Sequence, residues 1–418
     1  MKKLIIADDL TGSMESAVVA FRSGQYAELR FPWNSEDSIA FNGHETVVMD
    51  TETRNLPEGL AEEKLSKLLG QCGAVLSYKK IDSTLRGNVV AEIRGIDVSS
   101  GQGSRKTGLP KNRILVFCPA LPEQGRSLVG GRVLVRGIAL EDTEYARDPL
   151  KPSGSGDTTA LMRKAGYEAG RIGLGTVRLG PEAIGSEIRG LIRNGIHCVI
   201  PDAETRDDLL SIARAVRSLE RVPAGEDRTI HAEYDFLPIG SAGLLEALFH
   251  TGRIVPIPDM PDLPEVPLAA IGRRRIPHLI IVSGSRSAAT LAQLGLLRAT
   301  GSLEKYQVFA PAEEEADGQR CAASGVAVFE EKVRDCAVRA ERELRLFPDS
   351  VLFLTGGHTA QIVLETLGIG GAEIIGEPAP LVPLCRAKGG RCDGLRFMTK
   401  AGGFGAPTLF GDLLESTG

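Results

Sequence analysis

The stretch Leu4-Ile5-Ile6-Ala7-Asp8-Asp9-Leu10-Thr11-Gly12, near the start of the 418-residue chain, decides the fold. Its first four residues are apolar, which predicts a short buried strand. After residues 8–12, apolar side chains recur at helical spacing as far as Phe21, and Gly24 marks the end of that helix. A buried strand that leads directly into an amphipathic helix begins a βαβ unit, so the stretch predicts an α/β protein with a mostly parallel sheet.

The same alternation continues through the rest of the chain. Further strands are predicted at residues 46–49, 74–76, 114–117, 197–200, 279–282, 351–354 and 395–398. Helices are predicted at 61–69, 288–298 and 359–367, together with a long helix that ends near Leu346. We therefore expect two domains, each with a mostly parallel sheet flanked by helices and with the active site in the cleft between them.

Proline density marks the predicted boundary between these domains. Residues 256–267, PIPDMPDLPEVP, cannot sustain a helix or an internal strand, so they predict an extended linker. The chain is also longer than one hydrophobic core usually serves. The predicted division is an N-terminal domain over 1–254, a proline-rich linker over 255–278 and a C-terminal domain over 279–418. Residues 101–112, GQGSRKTGLPKN, predict a polar surface loop.

Composition and charge exclude several classes of protein. The net charge of −5 is unlike that of a nucleic-acid binder, which normally carries a basic surface. Seven cysteines without a CxxC spacing argue against a disulfide framework or a structural zinc site, and favour a reducing compartment. The first apolar run meets Asp8 and Asp9 too early for a signal peptide, and no run reaches membrane-spanning length. We expect a cytoplasmic protein with no membrane or nucleic-acid partner, and a homodimer as the default assembly.

Two adjacent carboxylates, Asp8 and Asp9, follow the first predicted strand. In open α/β sheets, ligands bind beyond the carboxyl ends of the strands, so both acids are expected in the cleft. One acid can accept the proton of an attacking hydroxyl while the other holds substrate hydroxyls or Mg²⁺. Capping of the following helix is the alternative role, and the sequence leaves open which acid is the base.

Cations follow the next predicted strands. Arg54 ends the segment DTETR (50–54) and can grip a carboxylate bidentately, although a solvated surface arginine fits the same pattern. The segment KKIDSTLRGN (79–88) places three cations, an acid and two hydroxyls in one turn after a strand. Such a cluster suits an anionic, polyhydroxylated substrate, and its cations, Arg86 among them, can stabilise phosphoryl charge. A charged turn whose lysines face water is the alternative.

Three glycine-rich turns follow predicted strands near the C-terminus: SGSRS (283–287), TGGHT (355–359) and KAGGFG (400–405). Glycine lets backbone N–H groups approach phosphate oxygens, and the N-terminus of a following helix adds a favourable dipole. One such turn is a weak indication, because any left-handed turn favours glycine. Three at successive strand ends predict a nucleotide site. His358 lies inside the second turn, where it either contacts a phosphate or faces solvent.

Other common catalytic motifs are absent from the sequence. No GxxxxGK[ST] occurs, since GSRKT at 103–107 has the wrong spacing, and no GxGxxG opens the first helix. The six histidines form no HExxH or other metal-ligand pattern. A hydrolase or a dehydrogenase on a similar scaffold would need a nucleophile elbow or a dinucleotide fingerprint, and neither is present.

Nine segments together resemble the four-carbon acid sugar kinase family, nearly from end to end. They are IIADDLTG (5–12), DTETR (50–54), KKIDSTLRGN (79–88), PALPEQGR (119–126), PDAET (201–205), IGSAGL (239–244), SGSRS (283–287), TGGHTA (355–360) and TKAGGFG (399–405). Members of this family phosphorylate threonate, erythronate or 3-oxo-tetronate with ATP. The resemblance implies a sugar-acid-binding N-terminal domain, a nucleotide-binding C-terminal domain, ATP with Mg²⁺, and a 4-phosphate product.

The resemblance also implies which residues form the site. Those for the acid sugar are Asp8 or Asp9, Arg54, Lys80, Ile81, Asp82 and Ser83, to which the charge of the same segment adds Arg86. Those for ATP are Ser283 or Ser285, Gly356, Gly357, His358, Thr359, and Gly402 or Gly403. The expected catalytic groups are Asp8, Asp9 and Arg86, and no metal ligand is assigned.

Two places depart from the family pattern. Ser13 and Glu15 stand where the family usually has alanine and, shortly after it, aspartate. His358 replaces the acid of the usual GGET turn. If that acid serves magnesium or the ribose, nucleotide affinity changes. The departures keep open an alternative function, namely a nucleotide- and metabolite-binding protein derived from the kinase with altered catalysis.

Overall fold

The computed structural model describes residues 3–31, 46–71, 75–99, 113–148, 151–221, 235–251, 278–300, 305–311 and 323–415. They group into two compact units. The first contains residues 3–25 and the described residues from 46 to 251, and the second contains 26–31 and those from 278 to 415. The predicted polar loop and nearly all of the predicted linker lie outside the described residues, so the boundary at 255–278 stays a prediction.

Within these ranges the chain forms seventeen strands and twelve α-helices. The strands are β1 (Lys3–Ala7), β2 (Ala27–Arg30), β3 (Thr46–Asp50), β4 (Val75–Lys80), β5 (Arg113–Cys118), β6 (Arg126–Val129), β7 (Arg132–Val135), β8 (Ile138–Ala139), β9 (Ala169–Ile172), β10 (Cys198–Pro201), β11 (Asp235–Gly240), β12 (Leu279–Ser283), β13 (Tyr306–Phe309), β14 (Val351–Thr355), β15 (Gly371–Ala379), β16 (Val382–Ala387) and β17 (Arg396–Lys400). The helices are α1 (Leu10–Arg22), α2 (Glu58–Gln71), α3 (Val89–Ser99), α4 (Thr158–Ala165), α5 (Leu174–Val177), α6 (Pro181–Arg193), α7 (Arg206–Arg221), α8 (Ala242–His250), α9 (Ala288–Thr300), α10 (Ala323–Leu346), α11 (Gly357–Thr366) and α12 (Leu409–Glu415). None of these helices has the length and apolarity that a bilayer crossing requires.

Seven parallel strands form the sheet of the first unit. Their order is β3-β1-β4-β11-β5-β10-β9, and every neighbouring pair is parallel. Leu4, Ile5 and Ile6 are fully buried, as expected for a strand that is covered on both faces. The parallel arrangement places the carboxyl ends of β1, β3 and β4 side by side at one end of the sheet.

Lys79 and Lys80 belong to β4, although the sequence pattern assigned them to the following turn. Both side chains are buried, at 0% and 4% exposure. The strand tolerates them because Nζ of Lys79 lies 3.2 Å from Glu92 Oε1, and Nζ of Lys80 lies 2.9 Å from Glu15 Oε2. Pairing with a carboxylate is the usual condition for burying an ammonium group. The turn itself begins at Ile81.

A small antiparallel sheet of β6, β7 and β8 was not predicted. The connection between β6 and β7 is Gly130-Gly131, whose φ angles are 60° and 73°. Two successive residues with positive φ form the tight hairpin turns that match the twist of paired strands. The sequence shows this glycine pair, but the strands beside it are too short to display an alternating pattern of their own.

Seven strands also form the sheet of the second unit, in the order β13-β12-β14-β17-β16-β15-β2. The first four are mutually parallel, whereas β16, β15 and β2 are each antiparallel to their neighbours. β2 is grouped with this unit because it pairs with β15. The α/β class is confirmed, and the hairpin of β15 and β16 was not predicted.

We expect Gly95→Ala to destabilise the first unit. A Cβ at Gly95, in α3, would lie 2.6 Å from the carbonyl oxygen of Glu62 and 3.0 Å from Leu65 Cβ, both on α2. Forcing such a close helix pair apart costs about 1–3 kcal/mol of the free energy of unfolding, which chemical denaturation measures. Gly190→Ala in α6 is the matched control, because nothing lies within 4 Å of its added Cβ. That variant should gain roughly 0.5–1 kcal/mol. Equal stability of the two variants would contradict the packing argument.

Candidate active site

Arg54 brings together the two acids at the end of β1. Its Nε lies 2.8 Å from Asp8 Oδ2, its Nη2 donates to Asp8 Oδ1 at 3.0 Å, and its Nη1 donates to Asp9 Oδ2. The backbone N–H of Arg54 also donates to the carbonyl oxygen of Asp8, at 3.1 Å. The arginine that follows β3 is therefore fixed, in side chain and backbone, to the residues that follow β1. This is the bidentate geometry in which guanidinium–carboxylate pairs are strongest.

Asp8 and Asp9 occupy different environments. The Asp8 side chain is 1% exposed, and that of Asp9 is 24% exposed. Burial opposes ionisation of Asp8, but Arg54 and Lys79 outweigh it and hold the pKa of Asp8 below its usual range. Burial raises the pKa of Asp9, and the negative charge of Asp8 adds to that rise, although Arg54 opposes it. The more accessible acid is thus also the more basic one.

Asp9 also caps helix α1. Its Oδ1 accepts the backbone N–H of Gly12 at 2.8 Å, as an N-cap aspartate does. A Cβ at Gly12 would lie 2.9 Å from Asp9 Oδ1 and 3.4 Å from Lys80 Nζ, so glycine permits this close approach. The capping role that the sequence offered as an alternative is therefore real. It uses Oδ1 and leaves Oδ2 for the pair with Arg54.

Every cation that the sequence predicted for the substrate cluster has a carboxylate partner. Besides Arg54, the pairs with their nitrogen-to-oxygen distances are Lys80 with Glu15 (2.9 Å) and Arg86 with both Asp82 (2.8 Å) and Asp148 (3.0 Å). Burial opposes ionisation of Asp82, but Arg54 and Arg86 hold its pKa below the usual range. Glu15, one of the departures from the family pattern, thus has an observed role as the partner of Lys80.

The other predicted members of this segment are buried. Ile81 is 1% exposed, and its backbone N–H donates to the carbonyl oxygen of Gly240 at 2.9 Å. Ser83 is 8% exposed. The structure therefore brings Asp8, Asp9 and Arg54 into direct contact, and sets the residues after β4 at the same end of the sheet.

Sequence reasoning missed four charged residues around this cluster: Glu92, Asp148, Lys79 as a buried ion-pair partner, and Asp50. Asp50 is fully buried, and burial together with the charge of Asp9 raises its pKa well above the usual value. Its Oδ1 accepts the backbone N–H of Glu52 at 2.9 Å. Asp50 is the first residue of the segment DTETR, so the sequence placed it near the site, but its burial and its raised pKa could not be predicted from the sequence.

Three of the quoted segments brace the site. Asp202, in PDAET, accepts the backbone N–H groups of Gly130 at 2.7 Å and Gly131 at 2.9 Å. Ser241, in IGSAGL, donates from Oγ to the carbonyl oxygen of Ala120, in PALPEQGR, at 2.6 Å. The Asp202 bonds hold the β6–β7 turn to the residues after β10, and the Ser241 bond holds the loop after β11 to the loop after β5.

The three glycine turns of the second unit follow β12, β14 and β17, which are adjacent and parallel. The backbone N–H of Gly356 donates to the carbonyl oxygen of Lys400 at 2.9 Å, which joins the second turn to the third. A Cβ at Gly402 would lie 2.2 Å from Ser285 Oγ, and one at Gly284 would lie 2.3 Å from Thr359 Oγ1. The turns pack so closely that only glycine fits at these two positions.

The predicted nucleotide residues therefore lie at one end of the second sheet. Ser283 ends β12, Gly356 precedes α11, Gly357 begins it, and Gly403 follows Gly402 in the third turn. His358 points toward α10: its Nε2 lies 3.3 Å from Glu330 Oε1, and its ring stacks on Phe329 with centroids 6.3 Å apart. The residue that departs from the family's acid thus lies beside an acid of another helix.

Two family models and several curated proteins match this chain. Residues 3–248 match the model described as a sugar-binding N-terminal domain, and residues 306–410 match the model described as a nucleotide-binding C-terminal domain. A D-threonate kinase from Cupriavidus necator is 30% identical over 97% of this chain and 95% of its own length. A D-threonate kinase from Salmonella typhimurium is 27% identical, over 99% and 98%. A D-erythronate kinase from Heliobacterium modesticaldum is 27% identical, over 96% and 93%.

Solved structures share the fold. A Salmonella typhimurium LT2 protein has a TM-score of 0.74 at 20% identity, with all of both chains covered. A Haemophilus influenzae protein has a TM-score of 0.69 at 19% identity, over 99% of this chain and 98% of its own. The curated relatives of this chain are named kinases, which supports a phosphotransferase. The chain belongs to the four-carbon acid sugar kinase family, as its sequence segments indicated.

We expect Lys79→Met to destabilise the first unit strongly. The Lys79 and Glu92 side chains are 0% and 1% exposed, so removal of the cation leaves Glu92 buried without its counter-charge. Loss of one partner of a buried pair typically costs about 3–5 kcal/mol of the free energy of unfolding, as chemical denaturation would show.

Two further variants distinguish pairing from packing. The double variant Lys79→Met/Glu92→Met removes both charges and should recover most of the loss. Lys67→Met breaks an exposed pair with Glu63 and should change stability by at most about 0.5 kcal/mol. If the double variant were as unstable as the single one, the buried charge would not be the cause.

Proposed function

We propose that this protein is an ATP-dependent kinase that transfers the γ-phosphate to the terminal hydroxyl of a four-carbon sugar acid, with a 4-phosphate as product. Threonate, erythronate and 3-oxo-tetronate are the candidate substrates. The family and the names of its relatives support the reaction class. The observation that carries the proposal is the Asp8–Arg54–Asp9 arrangement at the end of β1, an acid of raised pKa held beside a fixed cation.

Asp9 is the proposed general base. Its carboxylate is the more exposed of the pair, and its raised pKa makes it the better proton acceptor at neutral pH. Asp8 is held ionised by Arg54 and Lys79, so its proposed role is to orient Arg54 and a substrate hydroxyl. In the proposed step the substrate hydroxyl gives its proton to Oδ2 of Asp9 as its oxygen bonds to the γ-phosphorus, and ADP leaves.

The cations of the cluster are proposed to bind the substrate's carboxylate and to stabilise phosphoryl charge. Arg54 uses three of its five N–H groups on Asp8 and Asp9, which leaves one on each Nη for a substrate oxygen. Arg86 is held by Asp82 and Asp148, which fixes the direction of its guanidinium. Lys80 and the backbone of Ile81, Asp82 and Ser83 complete the proposed sugar-acid site.

ATP is proposed to bind at the three glycine turns, through Ser283 or Ser285, the backbone of residues 356–359, and Gly402 or Gly403. Among the described residues, no cluster of three or more acids, histidines or cysteines could hold a metal ion. Mg²⁺ is proposed to accompany the nucleotide, where it would neutralise phosphate charge. Phosphoryl transfer depends chiefly on positioning and on this neutralisation of charge.

Asp9→Asn tests the assignment of the base. Asparagine caps a helix as well as aspartate does, so α1 and the melting temperature should change little. Without a proton acceptor, kcat should fall by roughly 10²–10⁴-fold, measured in a coupled assay of ADP release. Asp157→Asn, at the cap of α4, is the matched control and should keep full activity. Near wild-type turnover of the Asp9→Asn variant would exclude Asp9 as the base.

The substrate is tested with Mg-ATP and a panel of four-carbon acids, namely D- and L-threonate, D- and L-erythronate and their 3-oxo forms. We expect turnover on at least one of them, because the acid pair and the cations suit a polyhydroxylated carboxylate. Silence on the whole panel, with the nucleotide still bound, would favour the alternative of a nucleotide- and metabolite-binding protein with altered catalysis. This alternative rests on His358, which replaces the acid of the family's usual GGET turn.

A further inference from the structure

Lys400, the last residue of β17, is a buried cation for which the described residues provide no acidic partner. The residue is 3% exposed. Its Nζ donates to Thr290 Oγ1 at 3.0 Å, to the carbonyl oxygen of Gly402 at 3.1 Å and to that of Ala401 at 3.4 Å. All three acceptors are neutral. Among the described residues, no carboxylate lies within ion-pair distance of Lys400, in contrast to the paired lysines of the first unit.

Its surroundings add further positive potential. Helix α9 begins just after the first glycine turn and α11 begins within the second, and the N-terminus of a helix carries a partial positive charge. Thr290, on the first turn of α9, links Lys400 to Thr355 Oγ1 of β14, at 3.2 Å. The ammonium group therefore lies where the three turns meet. A buried charge without a partner is costly, and such a place favours an anion.

We propose that Lys400 binds the phosphate chain of the nucleotide. The inference rests on the proposed function of the second unit as a nucleotide site, and adds a residue and a charge to the glycine turns. Backbone N–H groups of the turns would contact the phosphate oxygens, and Lys400 would supply the full positive charge that the turns lack.

If Lys400 binds phosphate, its protonation state should change when the nucleotide binds, and this change can be measured. Burial lowers the pKa of Lys400 to about 8, and no charged group on α9, α10, α11 or β14 contributes to the shift. Arg286 of the first turn is exposed, and His358 points toward Glu330 of α10. A phosphate anion favours the protonated amine, so nucleotide binding should raise this pKa. Nucleotide affinity is then highest below about pH 8 and falls as the pH rises through the pKa of the free protein.

The test is calorimetric titration of the full chain with ADP, in buffers of different ionisation enthalpy, at pH 7 and pH 9. For the wild type we expect little proton uptake at pH 7 and uptake approaching one proton per ADP at pH 9. Lys400→Met should bind ADP about 10- to 100-fold more weakly at pH 7 and show no uptake. Lys400→Arg keeps a charge at every accessible pH, so it should bind ADP with no uptake and a smaller loss of affinity.

Thr290→Val separates a phosphate contact from support of the third turn. The valine removes the hydroxyl that bonds to Lys400 and to the carbonyl oxygen of Gly402, and leaves the amine in place. If the turn alone matters, Thr290→Val should weaken ADP as Lys400→Met does. If Lys400 binds phosphate, proton uptake at pH 9 should persist in Thr290→Val and be lost only in the Lys400 variants.

The outcomes distinguish this proposal from the proposed kinase reaction. Wild-type affinity in Lys400→Met, uptake that persists in that variant, or no binding of ADP to the wild type would each overturn the role of Lys400. Uptake that depends on Lys400, together with no turnover on any sugar acid, would support the phosphate contact and contradict the kinase assignment.

Discussion

The contact of Arg54 with Asp8 and Asp9 is the constraint on which the site of the first unit depends. Two carboxylates at the end of one strand repel each other, and both are partly or fully removed from water. A single guanidinium from the neighbouring strand end bridges them, offsets one of their two negative charges and fixes their directions. Because its bidentate edge is directed at Asp8, that acid is held ionised while Asp9 keeps a raised pKa. One arginine thus gives two identical side chains different chemistry.

The two units differ in the partners of their buried lysines. In the first, buried Lys79 and Lys80 each have a carboxylate partner, so the cluster is nearly neutralised before any ligand arrives. In the second, the hydrogen-bond acceptors of buried Lys400 within the described part of the chain are all neutral oxygens. A paired cluster can orient a small polar substrate through hydrogen bonds without a large change in net charge. An unpaired cation beside helix N-termini favours a ligand that carries several negative charges, as a nucleotide does.

The sequence predicted the parts of the site that the fold class places, and missed the parts that depend on distant side chains. Asp8, Asp9 and Arg54 could be grouped because carboxyl ends of parallel strands meet at the same end of a sheet. Glu15, Glu92 and Asp148 could not, because they come from α1, α3 and the segment beyond the small antiparallel sheet, and long-range ion pairs have no local pattern. The sequence analysis placed Lys400 in a glycine turn, but it could not predict that the side chain is buried, and burial is the property that suggests a role for it.

Among the described residues, two of the four non-glycine residues with positive φ lie in the turns that carry the first site. Glu52, after β3, has a φ of 49°, and Leu85, after β4, has a φ of 58°. Left-handed conformations of such residues cost about 1–2 kcal/mol each, and they persist only where the surroundings enforce them. Here Asp50 Oδ1 accepts the N–H of Glu52 at 2.9 Å, and the carbonyl oxygen of Asp82 accepts that of Leu85 at 3.0 Å. The same two aspartates therefore contribute to the electrostatics of the site and to the backbone conformation of its turns, Asp50 through its carboxylate and Asp82 through its carbonyl oxygen.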